Sequence, residues 1–480
     1  MSLSQTLGDL HPVTILILVG ACVGCILAVS WASKPAKALV TWNKDTTPAQ
    51  VADRKIQQIR ALTNCHEVAA KLAEMFHTDG AGSWPPRANH EYSTWPAPLR
   101  PYRDIYLELA PLIPQPEASL DDETNRARVD SFRAQYRKLL QERVNLIQVT
   151  KLLEAANAGR WDVFPRDTYN AFYCCIASSR HAYRWATVPV VKVAQMEQIV
   201  DVPIELDEPW THLQKHFGCE SQSGNIMSNM LLNFDAHGQH MFKANMGMTP
   251  EMVAAEESFA RIFHHAESRA LPLYQDMLMA IITFAREDKE ACAQHMANIT
   301  ASLRPILGTY YNELHDSKIP MKLWLSRVQG FFAWSAGYFD KEADKMVIYD
   351  GLTGNQVLLF IALDAFIDLE SYLSPLEQEK TIPAAQRRLV VALKKHSFRR
   401  KISEEPKDEA EARIQREFGE IVKRLRAFRS AHRVRSKQYL STPAPERLPM
   451  MAGKSLLGPT MSESLQYLDN FMVGRLQQTI

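Results

Sequence analysis

Between residues 408 and 440 the apolar positions Ile414, Phe418, Ile421, Leu425 and Phe428 recur at alternating steps of four and three, and His432 follows at the next step of four. The histidine therefore continues a buried helical stripe, while Lys423, Arg424, Arg426, Arg429 and Arg433 fall on other faces. A core histidine commonly does no more than bond to a carbonyl. The same placement also suits an axial haem ligand, because one imidazole projecting from a helix into an apolar pocket is enough to hold the iron. Arg429, one turn earlier, can then meet a haem propionate in a charge-assisted pair.

Two further charges sit in apolar surroundings. Asp364 ends the run QVLLFIALD, where a carboxylate must find a partner or stay protonated. It reads either as half of a buried ion pair or as an acid supporting a cofactor site. Arg327 lies among aromatics in WLSRVQGFFAW. It reads either as an arginine reaching outward from a core helix or as a fork for a substrate carboxylate. The run DAHGQH brings Asp235, His237 and His240 together, but in a Gly-containing loop without a fourth metal ligand. GxSxG, Walker, GxGxxG, HExxH and kinase motifs are missing, which leaves hydrolase, kinase and Rossmann oxidoreductase readings without their machinery.

The elements that would position these residues are helical. Periodicity predicts helices over 124–158, 167–186, 251–268, 272–286, 288–314, 321–337, 355–373, 384–396, 408–440 and 461–478. The proline-rich stretch 84–116, with Trp84 and Trp95, reads as an ordered wrap. No strand alternation stands out, so the fold class is mainly α. The expected organisation is a tail (1–12), a transmembrane anchor (13–32), a smaller helical and loop-rich domain (33–205), a connection (206–225) and a large helical domain (226–480).

The anchor is the uncharged run from Val13 to Ala32, long enough to span a bilayer's hydrocarbon core of ~30 Å. Asp9 precedes it, whereas Lys34, Lys37 and Lys44 follow, and this asymmetry places the body on the cytosolic side. The expectation is a single-pass membrane protein, with the endoplasmic reticulum as the anticipated membrane and a monomer as the anticipated state. The 480 residues carry a net charge of +1, which gives no general attraction to nucleic acid. Seven scattered cysteines fit reduced thiols better than a disulfide scaffold.

Four segments in order resemble the indoleamine 2,3-dioxygenase family of haem enzymes. IPAAQRRLVVAL and then AFRSAHRVRSKQYL are similar to the family's PPAHR-type segment and the helix ending in LRSYH. LSRVQGFFAW resembles LRIYLSGW, GLTGNQVLLFIALD resembles GGSAGQSSVFQCFD without a gap, and EESFARIFHHAE resembles the distal helix. The resemblance covers roughly residues 250–480. It implies haem b with His432 as proximal ligand, Arg429 as propionate partner, and Asp364 and Gly351 near the cofactor. It further implies Arg327 at the substrate carboxylate, Phe259 and Phe263 in the distal pocket, Thr353 and Gly354 at the substrate-side loop, and Glu267 as closing glutamate. The implied reaction inserts both atoms of dioxygen across the indole C2–C3 bond, giving N-formylkynurenine from tryptophan. Alternatives are a haem oxygenase of specialised metabolism acting on another indole or arene, and a non-catalytic haem sensor or scaffold. Two departures stand out: Phe263 replaces the family's distal serine or histidine, and the mobile GTGG loop is here Gly458-Pro459-Thr460-Met461.

Overall fold

The structure is a computed structural model describing residues 47–197, 199–333, 338–340, 345–347, 351–448, 450–451, 454–455 and 461–480. Ala52–Ile480 make up one compact unit. The anticipated anchor, residues 13–32, lies outside the described residues. Among the described residues no helix is long and apolar enough to cross a membrane.

The longer helices, in chain order, are α1 (Pro48–Ala61), α2 (Glu67–Thr78), α3 (Arg100–Leu109), α4 (Asp122–Arg143), α5 (Leu146–Asn157), α6 (Arg166–Trp185) and α7 (Ile204–Phe217). They continue with α8 (Pro250–Ser268), α9 (Leu271–Ala285), α10 (Lys289–Glu313), α11 (Leu358–Phe366), α12 (Ala384–His396), α13 (Glu409–Leu440) and α14 (Met461–Gln478). The described strands form two small antiparallel ribbons, Tyr338–Asp340 with Lys345–Val347 and Met450–Met451 with Lys454–Ser455. The fold is mainly α, as the periodicity requires.

Helix starts follow their caps. Asp408 accepts from the Glu411 amide at 2.8 Å to open α13, Asp288 from Ala291 at 3.1 Å to open α10, and Thr249 precedes Pro250 at the first position of α8. The apolar stripe of α13 is buried from Ile414 to Leu425, with Ile414, Ile421 and Leu425 wholly enclosed, and half-buried at Phe428 and His432. This helix packs on both α10 and α14. Trp84 and Trp95 of the proline-rich wrap are buried. Trp95 donates to the Asn89 carbonyl, and Trp84 donates to Glu267.

Three expectations need correction. The anticipated connection 206–225 overlaps α7, whose Leu206, Trp210, Leu213 and Phe217 are buried. Pro209 is inside that helix, and it leaves the Glu205 carbonyl without its usual helical donor; the Tyr102 hydroxyl supplies one at 2.7 Å. The single helix over 124–158 is two, because Val144 is extended and Asn145 caps a new helix by accepting from Gln148. Ile147 consequently faces solvent. The helix over 355–373 is confined to α11, preceded by a 3-10 turn at Gly354–Gln356.

Candidate functional site

A cavity of about 240 Å³ lies among α8, α10, α11, α13, α14 and the turn at Trp324–Gln329. Of the residues singled out in the sequence, it is lined by His432, Arg429, Asp364, Phe259, Phe263, Thr353 and Gly354. Chain segments more than 150 residues apart thus meet where their chemistry can combine.

His432 lies deep in the protein, yet its ring keeps accessible surface because it lines the cavity. Desolvation by burial pushes its pKa down to about 4. The ring is therefore neutral at pH 7 and keeps a lone pair. Nε2 is 3.2 Å from the Ser436 hydroxyl, one turn further on, which also lines the cavity. Tyr310 and Phe428 flank the imidazole, with centroids 5.1 and 6.1 Å away. The α8 wall is aromatic: Phe259 meets Phe263 and Trp324 edge to face, both at 5.2 Å.

The charged end of the cavity holds two guanidiniums and one carboxylate. Arg429 binds both oxygens of Asp364, at 2.8 and 2.9 Å, and Arg475 from α14 also binds Asp364 Oδ2. Arg429 additionally donates to Thr479 Oγ1 at 2.5 Å. The buried ion pair anticipated for Asp364 is thus present, but with two arginines. Sequence reasoning missed Arg475, whose position on α14 gave no signal of its own.

Glu267 does not line the cavity but lies between its lining residues Ala266 and Leu359. Its buried carboxylate accepts from Trp84 Nε1 at 3.2 Å, the Tyr274 hydroxyl at 2.7 Å and the Leu359 amide at 2.9 Å. The last bond holds the start of α11, which has no side-chain cap of its own.

Arg327 is not a carboxylate fork in this cavity. Its guanidinium donates to the carbonyls of Val188 at 3.1 Å, Gln115 at 2.5 Å and Pro116 at 3.1 Å, and it does not line the cavity. The reason is local. Trp324–Gln329 is a π-helical turn, so residues five apart share a face. Trp324 and Gln329 face the cavity, and Arg327 points to the opposite side. Trp324 Nε1 and both amide atoms of Gln329 are buried without a hydrogen-bond partner among the described residues. Gly351 also departs from expectation: its carbonyl accepts from Gln356 Nε2 at 2.9 Å, and the cavity wall begins at Leu352. Gly458-Pro459-Thr460 lies outside the described residues.

Elsewhere, one Asp235 oxygen accepts from the amides of His237 and Gln239, and His240 is buried 3.0 Å from the Asn233 amide nitrogen. Among the described residues no group of three His, Cys, Asp or Glu side chains can hold a metal ion. A haem asks for something different: one neutral imidazole, apolar walls and cations at one edge. His432, the aromatic lining and the Arg429–Arg475 pair fit that donor set.

No protein-family model matches this chain, and no curated protein matches it.

Proposed function

We propose that this chain is a haem-dependent dioxygenase that opens the C2–C3 bond of an indole. The observation that carries this reading is a neutral histidine on an apolar, aromatic-lined cavity whose lining also holds two arginines. His432 would hold the iron, and Arg429 would meet a propionate. Bound haem supplies the site at which dioxygen is activated. The protein's own residues do the rest. Phe259 and Phe263 shape a dry pocket that orders a flat aromatic substrate, and Ser436 gives His432 a hydroxyl neighbour in place of a charge. No protein acid–base pair is needed.

One observation favours a substrate other than tryptophan. Arg327, the fork expected for an amino-acid carboxylate, is consumed by three backbone carbonyls. The buried polar atoms of the cavity lining that have no hydrogen-bond partner among the described residues include Trp324 Nε1, both amide atoms of Gln329 and the Tyr310 hydroxyl, all of them neutral. They suit an indole or arene carrying an uncharged hydrogen-bonding group. The run 13–32 would anchor the enzyme with its body in the cytosol, where protease added to intact microsomes should digest it.

The test is to load the full chain with haem under reducing conditions, add dioxygen with tryptophan, indole or 3-methylindole, and identify the products by mass spectrometry. Ring-opened product carrying both oxygen atoms supports the proposal. A stable haem spectrum with no oxygen consumed on any substrate overturns the enzymatic reading.

A further inference from the structure

We propose that Arg475, on the C-terminal helix α14, is a second cation for the anionic edge of the bound haem, and that its charge helps to retain the cofactor. This rests on the haem reading above. Asp364 faces two guanidiniums, and among the described residues it is the one carboxylate that forms an ion pair with either. All three groups are nearly buried, with side-chain exposures of 11%, 10% and 6% for Arg429, Arg475 and Asp364. The cluster therefore holds one positive charge in excess beside an apolar cavity. Water solvates such a charge poorly there, and an anion from the ligand satisfies it.

The geometry leaves donors available for that anion. Arg475 uses Nη2 on Asp364 and Nη1 on the Glu370 carbonyl and Gln478 Oε1, and Arg429 uses its two terminal nitrogens on Asp364 and Thr479. No bond engages Nε of either residue among the described residues. Tyr372, which lines the cavity, lies under Arg475 with its ring centroid 5.0 Å from the guanidinium carbon. Asp364 acts as the spacer that keeps the two cations together, and the haem carboxylate completes the balance. Arg429 comes from α13 and Arg475 from α14, so the anion would bridge two helices joined elsewhere by Arg433 and Asp469, at 2.6 Å and away from the cavity.

The experiment measures haem transfer from the full chain to excess apomyoglobin, using haem and haem dimethyl ester, which lacks the propionate charges. Arg475→Gln should lose haem at least tenfold faster than the natural chain, Arg475→Lys should recover part of the difference, and Arg433→Gln, which weakens only the helix docking, should behave as the natural chain. With the dimethyl ester the natural chain and Arg475→Gln should release at the same rate. If R475Q is misfolded by circular dichroism, faster release of the ester than of haem from the natural chain, with that gap shrunk in Arg475→Lys, still supports the role. Equal release of haem by the natural chain and Arg475→Gln overturns the inference and leaves the haem reading standing. If the natural chain takes up no haem, both fall together.

Discussion

Burial holds His432 neutral until the pH approaches about 4, and this sets how its lone pair responds to acid. Because the folded pKa lies below the ordinary histidine value, a proton competes with iron only near that lower limit. Haem affinity of the full chain should therefore stay flat from pH 8 to pH 5 in a spectroscopic titration; a loss centred near 6.5 would show an ordinary, solvated imidazole. Arg327 makes the opposite kind of prediction. Arg327→Leu strips donors from three backbone carbonyls, at a cost on the order of 3 kcal/mol of stability. Turnover per folded molecule should change equally for tryptophan and for indoles without a carboxylate. Selective damage to tryptophan would return Arg327 to the substrate.

At the scale of elements, Glu267 ties α8 to the start of α11 and thereby sets where Asp364 stands. Replacing it with leucine leaves the Trp84 indole, the Tyr274 hydroxyl and the Leu359 amide without an acceptor. Urea unfolding of Glu267→Leu should show a loss of roughly 3 kcal/mol, and no loss would mean that these donors find other partners. The stripe ending in His432 was legible from its spacing because a regular α-helix of 32 residues carries it, and the partners of Asp364 could be anticipated from the cost of burying a carboxylate. Arg327 was misread for a physical reason. A π-turn replaces the period of 3.6 with a wider one, and single-letter spacing carries no mark of that change. The helix α7 was hidden by Pro209, whose tolerance depends on a tyrosine more than 100 residues away. Arg475 was hidden too, since only the folded chain shows that α14 brings it to Asp364.

At the scale of the whole molecule, the buried and half-buried histidines govern the response to acid. His90, His181, His216, His264 and His432 are pushed down to about 4 and His240 to about 3, all chiefly by desolvation. Each binds a proton in the unfolded chain below about 6.5 that it refuses in the folded one, so each lowers stability by up to ~1.4 kcal/mol per pH unit as the pH falls through that window. Asp79, raised to about 7 by burial, and the buried Glu256 and Glu267, also raised, act in the other direction by taking up protons on folding. With His66, His77 and His265 lowered as well, the histidines outnumber the raised carboxyl groups, and the urea midpoint should fall between pH 7 and pH 5.5. A midpoint that rises over this interval would mean that the carboxyl groups outweigh the histidines.

The central claim is that this cavity holds haem through His432. Titrating the full chain with haem should give a Soret band that saturates at one equivalent. His432→Gly should fail to develop that band until imidazole is added to fill the space left by the side chain. An undiminished band in the variant without imidazole, or no uptake by the natural chain, would contradict the account.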